Sequence, residues 1–237
     1  MQLPYFPLHV VLFPHLPLPL HVFEERYRAM ATDVMAEDSP YAGRFVISMI
    51  TAGREVGGDP DAQHVGTICE VRSAERFPDG RWLLLTVGAA RARLGAIDRS
   101  GPYALVEAEP LEEIMGPQAT ELLPSVQRAL DRYMATVKRF VAAAASVAQD
   151  SQEIVDVAAS LDAVLKPIRL PDDPLAASYA VGGVLQIELS RKQQLLELPD
   201  AASRLRAELA LLRREARFLD DGALPPISTS DLGYHPN

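Results

Sequence analysis

Leu3-Pro4-Tyr5-Phe6-Pro7-Leu8, then Val11-Leu12-Phe13-Pro14, then Leu18-Pro19-Leu20-His21-Val22-Phe23-Glu24-Glu25-Arg26-Tyr27 open this chain. Five prolines fall within the first nineteen residues, all among apolar neighbours. Proline fixes φ and removes a ladder donor, which suits strand starts, edges and bulges and argues against central strands. The simplest reading is a short apolar strand over residues 10–13 that ends at a turn. A second extended piece then feeds a helix over residues 22–37. In that helix Phe23, Tyr27, Met30 and Val34 recur at i, i+4, i+7 and i+11 and share one face.

Downstream, Arg44 to Ile50 is an apolar run suited to a buried strand, and Thr51 to Gln63, with three glycines and a proline, reads as a mobile loop. Residues 65–76 read as a strand with Val65, Thr67, Cys69 and Val71 on one face. Pro78-Asp79-Gly80 supplies turn chemistry, proline presetting φ and glycine taking the positive-φ position. Residues 82–87 return as the partner strand, and residues 89–97 and 103–111 read as two more. After Met115-Gly116-Pro117 the texture turns helical. Residues 119–148 are alanine-rich, residues 151–165 and 175–189 read as helices, and Ser190 with Gln193 forms a capping-box pair opening a short fourth. A last helix over residues 199–219 carries the apolar stripe Ala202, Leu205, Leu209, Leu212, Ala216 and Leu219, core for a bundle or a dimer face. The expected class is α+β, with a β-rich domain over residues 1–116, an α-helical bundle over 117–220 and a loose tail over 221–237.

Composition narrows the function. The chain has 237 residues, 48% hydrophobic and 23% charged, and a net charge of −9. Residues 1–113 hold 10 Arg, no Lys and 16 acidic residues, so −6, and the remainder holds 13 basic against 16 acidic, so −3. Neither half has the basic footprint of a nucleic-acid binder. No run approaches the ~20 apolar residues of a membrane span, and the proline-broken start lacks the basic region of a secretion signal. A single cysteine, Cys69, excludes an intramolecular disulfide and fits a reducing compartment, so a cytoplasmic location is expected.

The opening stretch resembles the start of the Lon protease N-terminal, or substrate-binding, domain family. Val65-Gly66-Thr67 … Phe77-Pro78-Asp79-Gly80-Arg81 … Gly88-Ala89-Ala90-Arg91-Ala92-Arg93-Leu94 … Pro102-Tyr103 is similar to that family's second block. Asp173-Pro174 followed by Lys192-Gln193-Gln194-Leu195-Leu196-Glu197 … Arg204-Leu205 is similar to its helical segment. The resemblance covers roughly residues 3–215. It implies a β-rich pseudobarrel related to the PUA fold plus a helical bundle, acting as a stand-alone substrate-binding module without ATPase or protease domains. One departure is His15, where many relatives have glycine after the Phe-Pro pair.

Catalytic chemistry finds no foothold. A phosphate cradle needs glycine followed by lysine and Ser/Thr, but Lys138, Lys166 and Lys192 follow Val137, Leu165 and Arg191. His9, His15 and His21 are six apart, outside the usual spacing of a metal pair, and no cysteine accompanies them. Cys69 reads as a buried, inert thiol. The doublets Glu24-Glu25, Glu112-Glu113 and Asp172-Asp173 point adjacent carboxylates to different sides and read as solvated charge. Candidate binding residues are Phe23, Glu24, Arg26, Tyr27 and Trp82. Glu24 is favoured near a helix N-terminus, and Arg26 is placed to pair with a carboxylate from the β half. A structural lock is the simpler role for that pair, with ligand contact the alternative; Trp82 reads as packing before platform. The expected function is non-catalytic binding of unfolded or extended polypeptide, without cofactor, metal, nucleic acid or membrane. A peptidase-related hydrolase and a small-ligand PUA-like domain are the alternatives.

Overall fold

The computed structural model describes residues 1–147 and 167–220. Seven strands come first: β1 (Gln2–Leu8), β2 (Pro17–Val22), β3 (Arg44–Ala52), β4 (Asp61–Ala62), β5 (Val65–Arg76), β6 (Trp82–Asp98) and β7 (Leu105–Pro110). Helix α1 (Glu25–Val34) lies between β2 and β3. Then follow α2 (Ala119–Val147), α3 (Pro174–Val184), α4 (Leu189–Glu197) and α5 (Ala201–Asp220). The class is α+β. The expected helix over 151–165 and the tail over 221–237 lie outside the described residues.

By contacts the described chain forms two compact units: residues 1–113 with Leu189–Glu197, and residues 114–147 and 167–188 with 198–220. In the first unit, strands pair in the order β1-β7-β6-β5-β3, and β1 pairs β3 as well, so five strands close into a ring. The proline-rich β1 survives inside that ring because its pairing is divided. Gln2 to Pro4 pair antiparallel with β7, and Tyr5 to Leu8 pair parallel with β3. The opening strand is therefore Gln2–Leu8, and the expected strand over residues 10–13 is not one; Val11, Leu12 and Phe13 are buried as irregular chain.

Alternate residues of the ring strands feed two clusters. Leu3, Tyr5, Val46, Ile68, Ala92, Leu94, Val106 and Ala108 form one, with residues from all five strands. Phe6, Phe45, Ile47, Cys69 and Leu84 belong to the other, which packs Tyr27, Met30, Ala31 and Val34 of α1. Helix α1 is shorter than the expected 22–37. Val22 is the last residue of β2 and is buried as the partner of Trp82, while Phe23 stands 48% exposed before the helix begins. The period-two burial of Leu20 and Val22 outweighs the i, i+4 match of Phe23 with Tyr27.

Two expected strands at 82–87 and 89–97 are one 17-residue strand, β6. Gly88 does not break it; a register shift there lets the Phe13 carbonyl approach where a side chain would collide. The β5–β6 hairpin turns at Gly80, whose φ of 85° is the positive value expected of it. His15, the residue that departs from glycine, has φ 67° and donates its N–H to Gly88 at 2.8 Å. A side chain there pays the steric cost of the left-handed region.

Helix α4 groups with the strands through two polar ties. Buried Arg91 donates to Glu113 at 3.1 Å, to the Leu196 carbonyl at 2.9 Å and to the Glu112 carbonyl at 3.3 Å. Gln193 donates to the Val65 carbonyl at 2.9 Å and to Glu197 at 2.7 Å, which takes its amide away from the expected capping box. Ser190 sits inside the helix, not ahead of it.

In the helical unit, Asp173 caps α3 by accepting from Ala176 N–H at 3.0 Å, with Pro174 at the first helical position. Asp200 caps α5 by accepting from Ser203 N–H at 2.7 Å. Gly116, φ 76°, brings the chain against Asp200 where a Cβ would collide. The α5 stripe is buried at Ala202, Leu205, Leu212, Ala216 and Leu219, and α2, which packs against α5, buries Val126, Leu130 and Tyr133. Arg204, Glu208 and Glu215 are buried on α5 as well.

Candidate functional site

β6 changes partners along its length. Residues 82–87 pair with β2 on one side and β5 on the other, giving a three-stranded flap apart from the ring closure. Leu83-Leu84-Leu85 must alternate across that flap. Leu84 is 1% exposed and joins the core, so Leu83 and Leu85 face outward, 43% and 41% exposed. Register extends this face sideways: His21 and Glu75 flank Leu83, and Pro19 and Ser73 flank Leu85. At the end of the flap the His21 ring lies 6.0 Å from Phe23 and 6.4 Å from Phe77. The result is a contiguous apolar and aromatic surface of Pro19, His21, Phe23, Phe77, Leu83 and Leu85. Grouped exposed apolar side chains mark interaction surfaces, unlike single ones.

The five residues singled out from the sequence separate into three places. Phe23 belongs to the exposed face. Trp82, on the opposite side of β6 from Leu83, packs against the core with the Arg76 guanidinium 5.6 Å from its ring. Glu24, Arg26 and Tyr27 lie at the start of α1. Tyr27 is buried with its ring 4.0 Å from Phe6, and burial pushes its phenol up to about 12. Glu24 occupies the N-cap without capping through its side chain; its carboxylate accepts from Gly57 N–H at 2.9 Å and pairs with Arg26 at 3.1 Å. Arg26 also donates to the carbonyls of Gly58 and Glu55 and lies 4.4 Å over the Tyr27 ring. Its partners are its own neighbour and a loop, not a carboxylate from a strand.

That loop, residues 53–60, is anchored repeatedly. Besides Glu24 and Arg26, Glu55 accepts from His9 N–H at 2.7 Å and Asp59 pairs with Arg99 at 2.7 Å. Arg28 of α1 donates to the Gly80 carbonyl at 2.8 Å, tying the helix to the hairpin tip. Beside Arg26 is a shallow cleft of about 270 Å³, open mouth included, lined by Tyr5, Pro7, Tyr27, Asp59, Pro60 and Ala104. Its enclosed space is only about 30 Å³, far short of the ~300–1,000 Å³ of small-molecule sites.

Burial pushes the Cys69 thiol well up, which suppresses the thiolate. Among the described residues no group of three or more His, Cys, Asp or Glu could hold a metal ion. Nor is any described helix long and apolar enough to cross a membrane. The outer leucines were missed in reading the sequence, although three consecutive leucines in a strand always leave either one or two of them off the core face.

A closed β ring with a three-stranded flap, followed by a helical unit, is the architecture that the comparisons with known proteins address. Residues 2–214 match the family described as the ATP-dependent protease La (LON) substrate-binding domain, and the chain belongs to that family. It is 25% identical over 221 residues to the Lon protease of Escherichia coli K12, covering 92% of this chain and 25% of that protein. It is 28% identical over 226 residues to Lon protease 1 of Syntrophobacter fumaroxidans, covering 91% of this chain and 25% of the relative. The chain thus spans about a quarter of the length of these curated relatives. Among solved structures, the N-terminal domain of Mycobacterium avium complex Lon protease superposes with a TM-score of 0.59 at 19% identity, over 90% of this chain and 98% of that one. A Lon N-terminal domain protein from Xanthomonas campestris gives 0.58 at 20% identity, over 89% and 98%. These structures share the fold.

Proposed function

We propose that this protein is a non-catalytic module that binds unfolded or extended polypeptide on the outer face of the β2–β6–β5 flap. The observation that carries the reading is the exposure of Leu83 and Leu85 beside Pro19, Phe23 and Phe77. Non-native chains differ from folded ones in exposing apolar side chains, and burying these against a fixed apolar face contributes roughly 25 cal/mol per Å². The surrounding charges, Glu75, Asp79 and Arg81, form a mixed polar rim of the kind that surrounds binding patches. Membership of a substrate-binding family supports the same reading.

The test pairs Leu83→Asp with Leu85→Asp and measures capture of a reduced, alkylated, permanently unfolded test protein. Both side chains point away from the core, so melting should change by little. Binding should fall at least tenfold. Retained binding by a folded double variant would rule out the flap.

A further inference from the structure

Strand β5 has two different halves. From Thr67 to Glu70 it is paired on both sides, to β6 and to β3. β3 ends its pairing at Arg44↔Glu70, and a last tie runs from Val71 N–H to the Gly43 carbonyl at 2.9 Å. Beyond this point β5 pairs with β6 alone, from Ser73↔Leu85 to Arg76↔Trp82. Arg72, Ser73, Glu75 and Arg76 are exposed and Ala74 is half-buried, so this edge is open to water. A row of strand amides and carbonyls in that position is complementary to one thing besides water, another extended backbone.

The other edge of the flap is poorer in donors. β2 pairs only with β6, and its six residues include Pro17 and Pro19, which have no N–H to offer. We propose that extended polypeptide docks by adding a strand to the open edge of β5 at residues 72–76, with main-chain hydrogen bonds as the common element of recognition. This rests on the polypeptide-binding reading above and specifies its mode.

Register determines what the added strand prefers. Ser73 and Glu75 share the outer face with Leu85 and Leu83. Ser73 is small, so a bulky apolar side chain on the incoming strand leans across it onto Leu85, at the reach of a diagonal neighbour. Backbone pairing is blind to sequence, while one side chain in two meets the apolar face. The ligand class is therefore an extended, proline-free segment with large apolar residues at alternate positions. A second copy of this chain is a poor occupant. Symmetric antiparallel pairing about Ala74 would set Arg72 opposite Arg76 at both ends, and like charges directly opposite are destabilising.

The experiment uses the full chain and a fluorescein-labelled ten-residue peptide with Leu and Phe alternating with Ser and Thr. Two derivatives carry N-methyl groups on the even or on the odd amides, leaving every side chain in place. At least one derivative should bind tenfold or more weakly than the parent by anisotropy. Hydrogen exchange at the amides of Ser73 to Arg76 should slow on addition of the parent. Equal binding of all three peptides with unchanged exchange would overturn strand addition, while the flap reading would survive if the parent still depends on Leu83 and Leu85. Failure of the parent to bind would overturn both. A concentration-dependent dimer that excludes the peptide would assign the edge to self-association and overturn the proposal.

Discussion

Arg91 in the β unit and Glu208 in the helical unit are both cut off from water, at 2% and 0% exposure, and are treated in opposite ways. The Arg91 guanidinium meets a carboxylate and two carbonyls, one of them near the end of α4. Among the described residues neither carboxyl oxygen of Glu208 makes a hydrogen bond of standard geometry. Burial raises its pKa well above the ordinary value, with Arg204 and the Gly182 N–H pulling the other way. A buried charge with matched partners acts as a lock that is expensive to remove. A buried carboxyl without them is pushed towards its neutral form and is a standing cost. The β unit, which carries the candidate site, is fastened by the first device, and the helical unit carries the second.

The largest effect should come from the lock. Arg91→Ala leaves the half-buried Glu113 carboxylate and the Leu196 and Glu112 carbonyls without their donor, which should cost about 3–5 kcal/mol. In a chain of this size that is a fall in melting temperature of roughly 10 °C, read by circular dichroism. A change below two degrees would show that Arg91 is not the fastening of α4.

Next comes the opposite sign. A folded-state pKa raised above the unfolded value means that stability is fully present below about 4.3 and is lost as pH rises through the raised value. Glu208→Gln removes the ionisation and should gain about 1–3 kcal/mol over wild type at pH 8, shrinking towards zero near pH 4. Parallel stability–pH curves for the two proteins would contradict a neutral, unmatched Glu208.

The smallest effect should be at the helix start. Arg26 is partly solvated, with 29% of its side chain exposed, and its donors hold loop carbonyls. Arg26→Ala should cost about 1 kcal/mol and speed amide exchange at Gly57, whose N–H is held by Glu24 in the same clamp. Peptide binding should be unchanged. Unaltered melting with lost binding would move the binding site from the flap to the start of α1.

Local chemistry was legible wherever one short-range rule acted alone. β5 reads at its observed bounds because a glycine-rich loop and a Pro-Asp-Gly turn bracket it, and Gly80 takes the φ its turn requires. The α5 stripe reads because 3.6-residue spacing repeats for five turns. Errors arose where two periodicities overlapped. Phe23 matches Tyr27 at helical spacing, but Val22 completes the alternation of β2 and ends the strand one residue earlier. Gly88 looks like a break between strands and is a point of close approach to Phe13, a residue 75 positions away in the chain. Of the candidate site, Phe23 was picked out for helical reasons and belongs to the flap for a strand reason. Leu83 and Leu85 were passed over as ordinary strand residues.

The sequence by itself determined the family, the α+β class, the hairpin, the stripe of the last helix and the lack of phosphate-cradle or metal spacing, because each is written in neighbours a few residues apart. Only the tertiary structure decided which face of Leu83-Leu84-Leu85 meets water, which edge of the flap is free, and which unit receives α4. Those depend on partners such as Pro19, Ser73 and Arg91, brought together by strand pairing and burial, and no local spacing encodes which of two equivalent faces the rest of the chain will cover.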